Sequence, residues 1–164
     1  MFVLININLL NNLVQGGKCR MKVVSGDFYN NILTYRVGNI LNTAKNDEAT
    51  NNFWLGNNQK PATAVLDLGC EKAVNLVQIV NTHNNNYKDR ATKKLKVSVA
   101  TKKDGPWEEV LDVDLKDSRK IDPVPLELFK FKEKKAKFVK VQIAAWYGNG
   151  GGLSYFNILD EKTN

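Results

Sequence analysis

A single histidine, two cysteines and four prolines in 164 residues set the first limits on this chain. With His83 alone, no multi-histidine metal centre and no two-histidine proton relay can be assembled. Cys19 and Cys70 are too few for a disulfide scaffold or a four-thiolate zinc site. No apolar run reaches the roughly eighteen residues that a transmembrane helix needs. Four prolines and 11 glycines exclude a collagen-like or low-complexity chain. Also absent is any Asn-x-Ser/Thr sequon, although the chain holds 21 asparagines, and this weighs against passage through the secretory pathway. No Ser-His-Asp order, nucleophile motif or phosphate loop occurs, and the carboxylates show no paired signature. An enzyme is not expected.

What is present fits one domain with a real core: 43% hydrophobic and 25% charged residues over a length typical of a single unit. The net charge of +7 favours anionic partners, although a lysine-rich surface also serves solubility alone. Residues 1–20 read as an N-terminal extension or weak signal-like segment, and 21–164 as a single β domain. Residues 2–14 suit a short signal core, with Val14-Gln15-Gly16 as a cleavage site. The alternation Val3, Ile5, Ile7, Leu9 suits a strand equally well.

From residue 60 the pattern is short strands and turns. Ala64 to Leu68 ends at Gly69, and Val74 to Thr82 alternates on two faces. Leu95, Val97 and Val99 alternate with Lys94, Lys96 and Ser98, as a half-buried strand does. Lys102 to Pro106 is a turn, followed by a strand over Trp107–Leu115 with Val110 and Val113 toward the core. Leu126 to Phe131 leads through a basic stretch to a strand at Phe138–Ile143, and Leu153–Leu159 closes the series. Seven or eight strands at this spacing, with no long amphipathic helix, predict an antiparallel sandwich or barrel.

Six segments in order carry a family resemblance. They are Asn46-Asp47 with Asn52-Phe53-Trp54, Ala64 to Gly69, Asp89 to Val99, Gly105 to Val110, Ala136 to Val141, and Gly152 to Phe156. Over about residues 40–160 the chain resembles the discoidin family, the coagulation factor V/VIII type C domain within the galactose-binding-like folds. The resemblance implies an all-β, antiparallel jelly-roll sandwich whose loops at one end bind ligands. It also implies a non-catalytic recognition module, lectin-like in cell adhesion or extracellular matrix. An anionic-phospholipid surface module and an intracellular protein-interaction module are the alternatives. Localisation is accordingly expected to be extracellular or at the cell surface, with the cytoplasm as the alternative.

The loop Asn81 to Arg90 holds the chemistry that sugar recognition needs: planar amides, a carboxylate, a guanidinium and an aromatic face. His83, Asn84, Asn86, Tyr87, Asp89 and Arg90 are its candidate ligand contacts; ordinary turn chemistry is the plainer reading. Trp146 and Tyr147, before the run Gly148-Asn149-Gly150-Gly151-Gly152, are the second candidate, for stacking on a sugar or inserting among headgroups. The alternative is that Trp146 closes the barrel end and the glycines serve a tight turn. Trp107 and Trp54 look like core or rim anchors, and Asp67, between Leu66 and Leu68, is expected to accept hydrogen bonds from a neighbouring loop.

The resemblance further implies a calcium loop, in which Asp47 matches the family's aspartate, Asn52 replaces its threonine and Glu48 its glycine. The family's C-terminal glutamate falls at Tyr155, so the set lacks a carboxylate that calcium favours. Cys19 and Cys70 either pair, as in extracellular relatives, or leave Cys70 a buried thiol. The lysines of 88–103 and 130–140 fall at alternate strand positions, such as Lys94/Lys96 and Lys130/Lys132. That pattern makes either an anion-binding stripe or a solvated face that discourages edge pairing. Glycan is the expected partner, with anionic lipid or protein next; no recognition motif points to nucleic acid.

Overall fold

A computed structural model describes residues 19–42 and 52–163. The segment 1–18, with its signal-or-strand alternatives, and Asp47 lie outside the described residues. Among the described residues the strands are, in order, β1 Lys22–Gly26, β2 Trp54–Leu55, β3 Ala62–Asn81, β4 Arg90–Ala100, β5 Glu108–Asp114, β6 Leu126–Gly148 and β7 Gly152–Leu159. Short 3-10 turns at Tyr29–Asn31, Leu33–Tyr35 and Val37–Leu41 follow β1.

Every strand pairing is antiparallel, in the order β2-β7-β3-β6-β4-β5, with β1 also on β3. The sandwich arises because β3 and β6 are long, 20 and 23 residues, and fold over as one ribbon. Ala62–Asp67 pairs with Phe138–Ile143 in one layer, beside β1 and β4; Lys72–Val80 pairs with Leu126–Ala136 in the other, beside β7. The ladder slips between Asp67 and Lys72, where Gly69 takes φ +82° and a side chain would strike the Arg20 backbone. The two strands expected on either side of Gly69 are therefore one bent strand, and so are the two expected around the basic stretch 130–137.

Alternate residues of each layer meet in one core, including Leu66, Ile79, Leu95, Val97, Val141, Ile143, Phe156 and Ile158. Val110 and Val113 pack against it half-buried, as expected, the β4–β5 register slip at Val110 offsetting their odd spacing, and Leu111 between them is buried. Trp54 lies wholly inside, whereas Trp107 stays at the rim under Lys140, whose Nζ lies 4.7 Å from the ring. Asp67 does accept hydrogen bonds, but from its own turn: Gly69 N–H donates to its Oδ1 at 2.8 Å, and Lys22 of β1 stands 3.6 Å away.

Both strands of the ribbon begin and end at the same end of the sandwich, so the β2–β3, β3–β4, β5–β6 and β6–β7 connections gather there, while the β4–β5 turn lies at the other end. The opposite, bent end carries the anchors of the chain. Cys19 and Cys70 form a disulfide beside the bend, and Asn75 holds the C-terminal turn through Asp160 (3.1 Å) and the Glu161 N–H (2.8 Å). A cross-link closing 51 residues removes unfolded-state entropy. Reducing it, or changing Cys70 to Ser, is expected to lower stability by roughly 3 kcal/mol in urea unfolding.

Candidate functional site

At the loop end, four segments far apart in sequence are tied together: 56–60, 82–90, 115–122 and 146–151. Asn81 exchanges hydrogen bonds with Thr92, its Nδ2 donating to Thr92 O and its Oδ1 accepting from Thr92 N–H, at 2.8 and 2.9 Å. Ser118 Oγ donates to Thr82 O at 2.6 Å, which brings the 115–122 segment against the end of β3. Gln59 N–H donates to Asn149 O at 2.9 Å, and Asn149 N–H to Asp89 O at 2.7 Å. Loops held this way present side chains on fixed strand ends rather than on a mobile rim.

The two candidate stretches meet. Register pairs Arg90 with Gly148, Ala91 with Tyr147 and Thr92 with Trp146. Within this group the side chains divide into framework and surface. His83 is 2% exposed, Asn84 is buried, and Arg90 is 3% exposed. Arg90 donates to Gly56 O at 2.9 Å and to Asn58 Oδ1, and its guanidinium lies 4.5 Å from the centroid of the Tyr29 ring. Asp89 takes Asn84 Nδ2 on one oxygen (2.7 Å) and Asn149 Nδ2 on the other (3.0 Å). Lys88 Nζ stands 3.3 Å from His83 Nε2. Tyr87, by contrast, is 76% exposed, beside exposed Asn86.

Trp146 and Tyr147 are adjacent in the chain but face different neighbours, as consecutive strand residues do. Trp146 Nε1 donates to Gln59 Oε1 at 3.3 Å, on the side of the 56–60 loop. Tyr147 OH donates to Leu115 O at 3.3 Å, on the side of the 115–122 segment. Both remain half-exposed. The glycines that follow serve close packing: Gly148 has φ +73° against the Asp89 backbone, and a Cβ on Gly150 would stand 2.6 Å from Arg90 Nη1. The tight turn, rather than glycine-given mobility, is what places these rings.

Comparison with known proteins follows this geometry. The F5/8 type C domain model matches residues 34–158. The chain belongs to the F5/8 type C family. No curated protein matches it in sequence. Among solved structures, this F5/8 type C domain is similar to CpGH89CBM32-5 from Clostridium perfringens, in complex with GalNAc-β-1,3-galactose. That match has a TM-score of 0.66 and 16% identity, covering 85% of this chain and 95% of that one. It is similar also to chitosan-binding module 1 from a chitosanase/glucanase of Paenibacillus sp. IK-5, with TM-score 0.64, 13% identity and coverage of 87% and 96%. A Ruminococcus gnavus GH29 fucosidase contains a similar fold over 27% of its chain, covering 93% of this one at 17% identity and TM-score 0.65. At these identities the likeness is one of fold, and it makes the domain an antiparallel β-sandwich of the kind expected.

In this F5/8 type C domain Lys94, Lys96, Lys130, Lys134 and Lys135 of the sheets are matched by acids. Lys94 Nζ reaches Asp112 (3.1 Å) and Asp114 (3.3 Å), and Lys96 Nζ reaches Asp112 (2.9 Å) and Glu109 (3.3 Å). Hydrogen bonds from these lysines hold the Asp112 carboxyl below its usual range and raise both ammonium groups. Lys130, Lys134 and Lys135 pair with Glu161, Glu108 and Glu71. These lysines thus form ion pairs between neighbouring segments, a ladder along part of the alternating stripe.

The family's calcium loop is only partly within the described residues. Asn52 Oδ1 accepts from Asn42 Nδ2 at 3.0 Å, and Tyr155 is buried, its phenol pushed further from ionisation by that burial. An amide and a neutral phenol are weak substitutes for carboxylates around calcium. Among the described residues no three His, Cys, Asp or Glu side chains come together as a metal site.

Sequence reading missed the partners that build this end. Asn58 and Gln59 contact Arg90 and Trp146, and Lys93 and Arg119 flank Tyr147. The one local signal was Asp117, whose Oδ1 accepts from the Arg119 N–H at 3.1 Å and opens the turn there.

Proposed function

We propose that this domain is a non-catalytic carbohydrate-binding module acting outside the cell, and that a saccharide docks on the loop end. The observation that carries the reading is Tyr87, a 76% exposed ring on a loop whose neighbours are locked by the Asp89 and Arg90 networks. A pyranose needs an aromatic face and planar polar groups at fixed positions. Tyr87, Trp146 and Tyr147 offer the faces; Asn86, Gln59 and Asn149 offer the amides. His83, Asn84, Asp89 and Arg90 act behind them as the supports that hold those groups in place. The similar Clostridium and Paenibacillus modules are described with GalNAc-β-1,3-galactose and chitosan, which supports a saccharide as the ligand class. The Cys19–Cys70 disulfide supports an oxidising, extracellular setting.

A glycan array on folded protein, with and without EDTA, tests the reading and the calcium loop together. Tyr87→Ala is expected to weaken the best hit about tenfold or more while leaving the melting temperature unchanged, because an exposed ring adds little to stability. Wild-type binding by that variant would remove Tyr87 from the site. A blank array from natively folded protein would overturn the carbohydrate reading itself.

A further inference from the structure

At the loop end two cations, from different segments, meet one aromatic ring, that of Tyr147. Lys93 Nζ and the Arg119 guanidinium each lie 5.8 Å from the centroid of its ring. Lys93 is exposed and sits one residue before the ladder, whose first lysine, Lys94, already engages Asp112 and Asp114. Where the ladder would set a carboxylate opposite a lysine, Lys93 meets an aromatic ring. Lys116 and Lys120, both exposed, stand on either side of Asp117 and Arg119 in the chain.

Among the described residues, the carboxylate in contact with this group is Asp117, and Arg119 occupies it. Arg119 Nε donates to Oδ1 at 2.9 Å and Nη2 to Oδ2 at 2.8 Å, a forked pair that keeps the Asp117 carboxyl below its usual range. The depressed value means the fork persists above the ordinary carboxylate range and is lost only as pH falls through the folded-state value. This arrangement fixes the guanidinium with Nη1 directed toward Gly148, on the backbone that carries Tyr147. The ring is itself fixed by its hydrogen bond to Leu115 O. Two cations are therefore held beside one aromatic ring at the loop end, and the carboxylate paired with Arg119 is already committed to it.

We propose that this shelf reads the acidic group of a saccharide, a uronate carboxylate or a sulfate ester, so that the preferred ligand is an acidic glycan. The proposal rests on the carbohydrate-binding reading and assigns Lys93 and Arg119 as its specificity-determining residues. With Nε and Nη2 engaged by Asp117, Arg119 has Nη1 to donate to such an oxyanion, and the neighbouring Lys93 ammonium adds charge without demanding one geometry.

Titration calorimetry of the intact chain would use two matched pairs of probes: galacturonate oligosaccharides against their methyl esters, and sulfated galacto-oligosaccharides against the desulfated forms. The expected result is binding of at least one acidic form about tenfold tighter than its neutral counterpart at low salt, with the margin shrinking as ionic strength rises. Lys93→Gln and Arg119→Gln should each remove most of that margin, read as the ratio of acidic to neutral binding within the same variant. Lys96→Gln removes the same unit of charge from the ion-pair ladder and should leave that ratio unchanged. Circular dichroism melts identify any loss of fold in the Arg119 variant, in which case Lys93→Gln alone decides. Equal binding of acidic and neutral forms overturns this proposal and leaves the carbohydrate reading standing. An acid preference that falls equally in Lys96→Gln overturns it too, because net charge and not the shelf would then be responsible. Absence of binding to all four probes by protein blank on the glycan array overturns both.

Discussion

Arg90→Ala is expected to cost about 4 kcal/mol, from two charge-assisted hydrogen bonds lost and a buried carbonyl left without its donor. The side chain is 3% exposed, donates to Gly56 O and Asn58 Oδ1, and stacks under Tyr29. It therefore joins three segments: the start of β4, the 56–60 loop and the 3-10 turn after β1. A melting temperature lower by roughly 8–16 °C would register that loss in a domain of this size. Arg90→Lys should recover little, since one ammonium cannot span two acceptors and lie flat against a ring. Saccharide binding should fall as well, because Gln59 and Asn149 lose the loop that sets their positions. The contrast with Tyr87→Ala is the informative part: one variant loses stability and binding together, the other binding alone. Should Arg90→Ala melt within about 2 °C of wild type and still lose its ligand, Arg90 would be a direct contact and not a support.

Trp54→Ala should be comparably damaging, at about 3–5 kcal/mol, through loss of a large buried side chain and the cavity left behind. Trp54 is 0% exposed on a two-residue strand, where it pairs with Leu153, and its Nε1 donates to Asp27 O at 2.7 Å. That bond fastens the turn leaving β1 to the edge of β7. Trp54→Phe would keep much of the packing and lose the hydrogen bond, so a cost of about 1–2 kcal/mol is expected. Equilibrium urea unfolding of the two variants separates the contributions. A loss below about 1 kcal/mol in the alanine variant would contradict the buried placement.

The strands were readable where one face is wet. Leu95, Val97 and Val99 against Lys94, Lys96 and Ser98 spell out β4, and Leu153 to Leu159 spells out nearly all of β7. The long ribbon was not readable as such, because Gly69 looks like a terminator and the lysines of 130–137 look like a loop. A bulge tolerates a positive-φ glycine without ending a strand, and an outer strand carries lysines on its solvent side. Nor did β1 show itself, since Lys22 to Gly26 is brief and mostly exposed.

For the site, the sequence supplied the segments and withheld their arrangement. His83, Asn84 and Arg90 look like exposed loop polar groups, yet each is buried. Their partners lie elsewhere: Gly56 and Asn58 are more than thirty residues from Arg90. Asn149 is 60 residues from Asp89. Spacing within a loop carries no trace of such contacts. The opposed directions of Trp146 and Tyr147, by contrast, follow from strand alternation once β6 is known to run to Gly148.

The bend of the ribbon also determines how the domain would be presented. The disulfide at Cys19 and the C-terminal turn at Asp160 and Glu161 are both fastened near Lys72–Asn75, at the pole opposite Tyr87 and Tyr147. Both anchors thus lie at the pole away from the proposed saccharide face. Coupling to a bead, a surface or another module through either side should therefore not mask binding. Several copies strung together could engage neighbouring sugars at once, gaining avidity set by linker reach without any new contact.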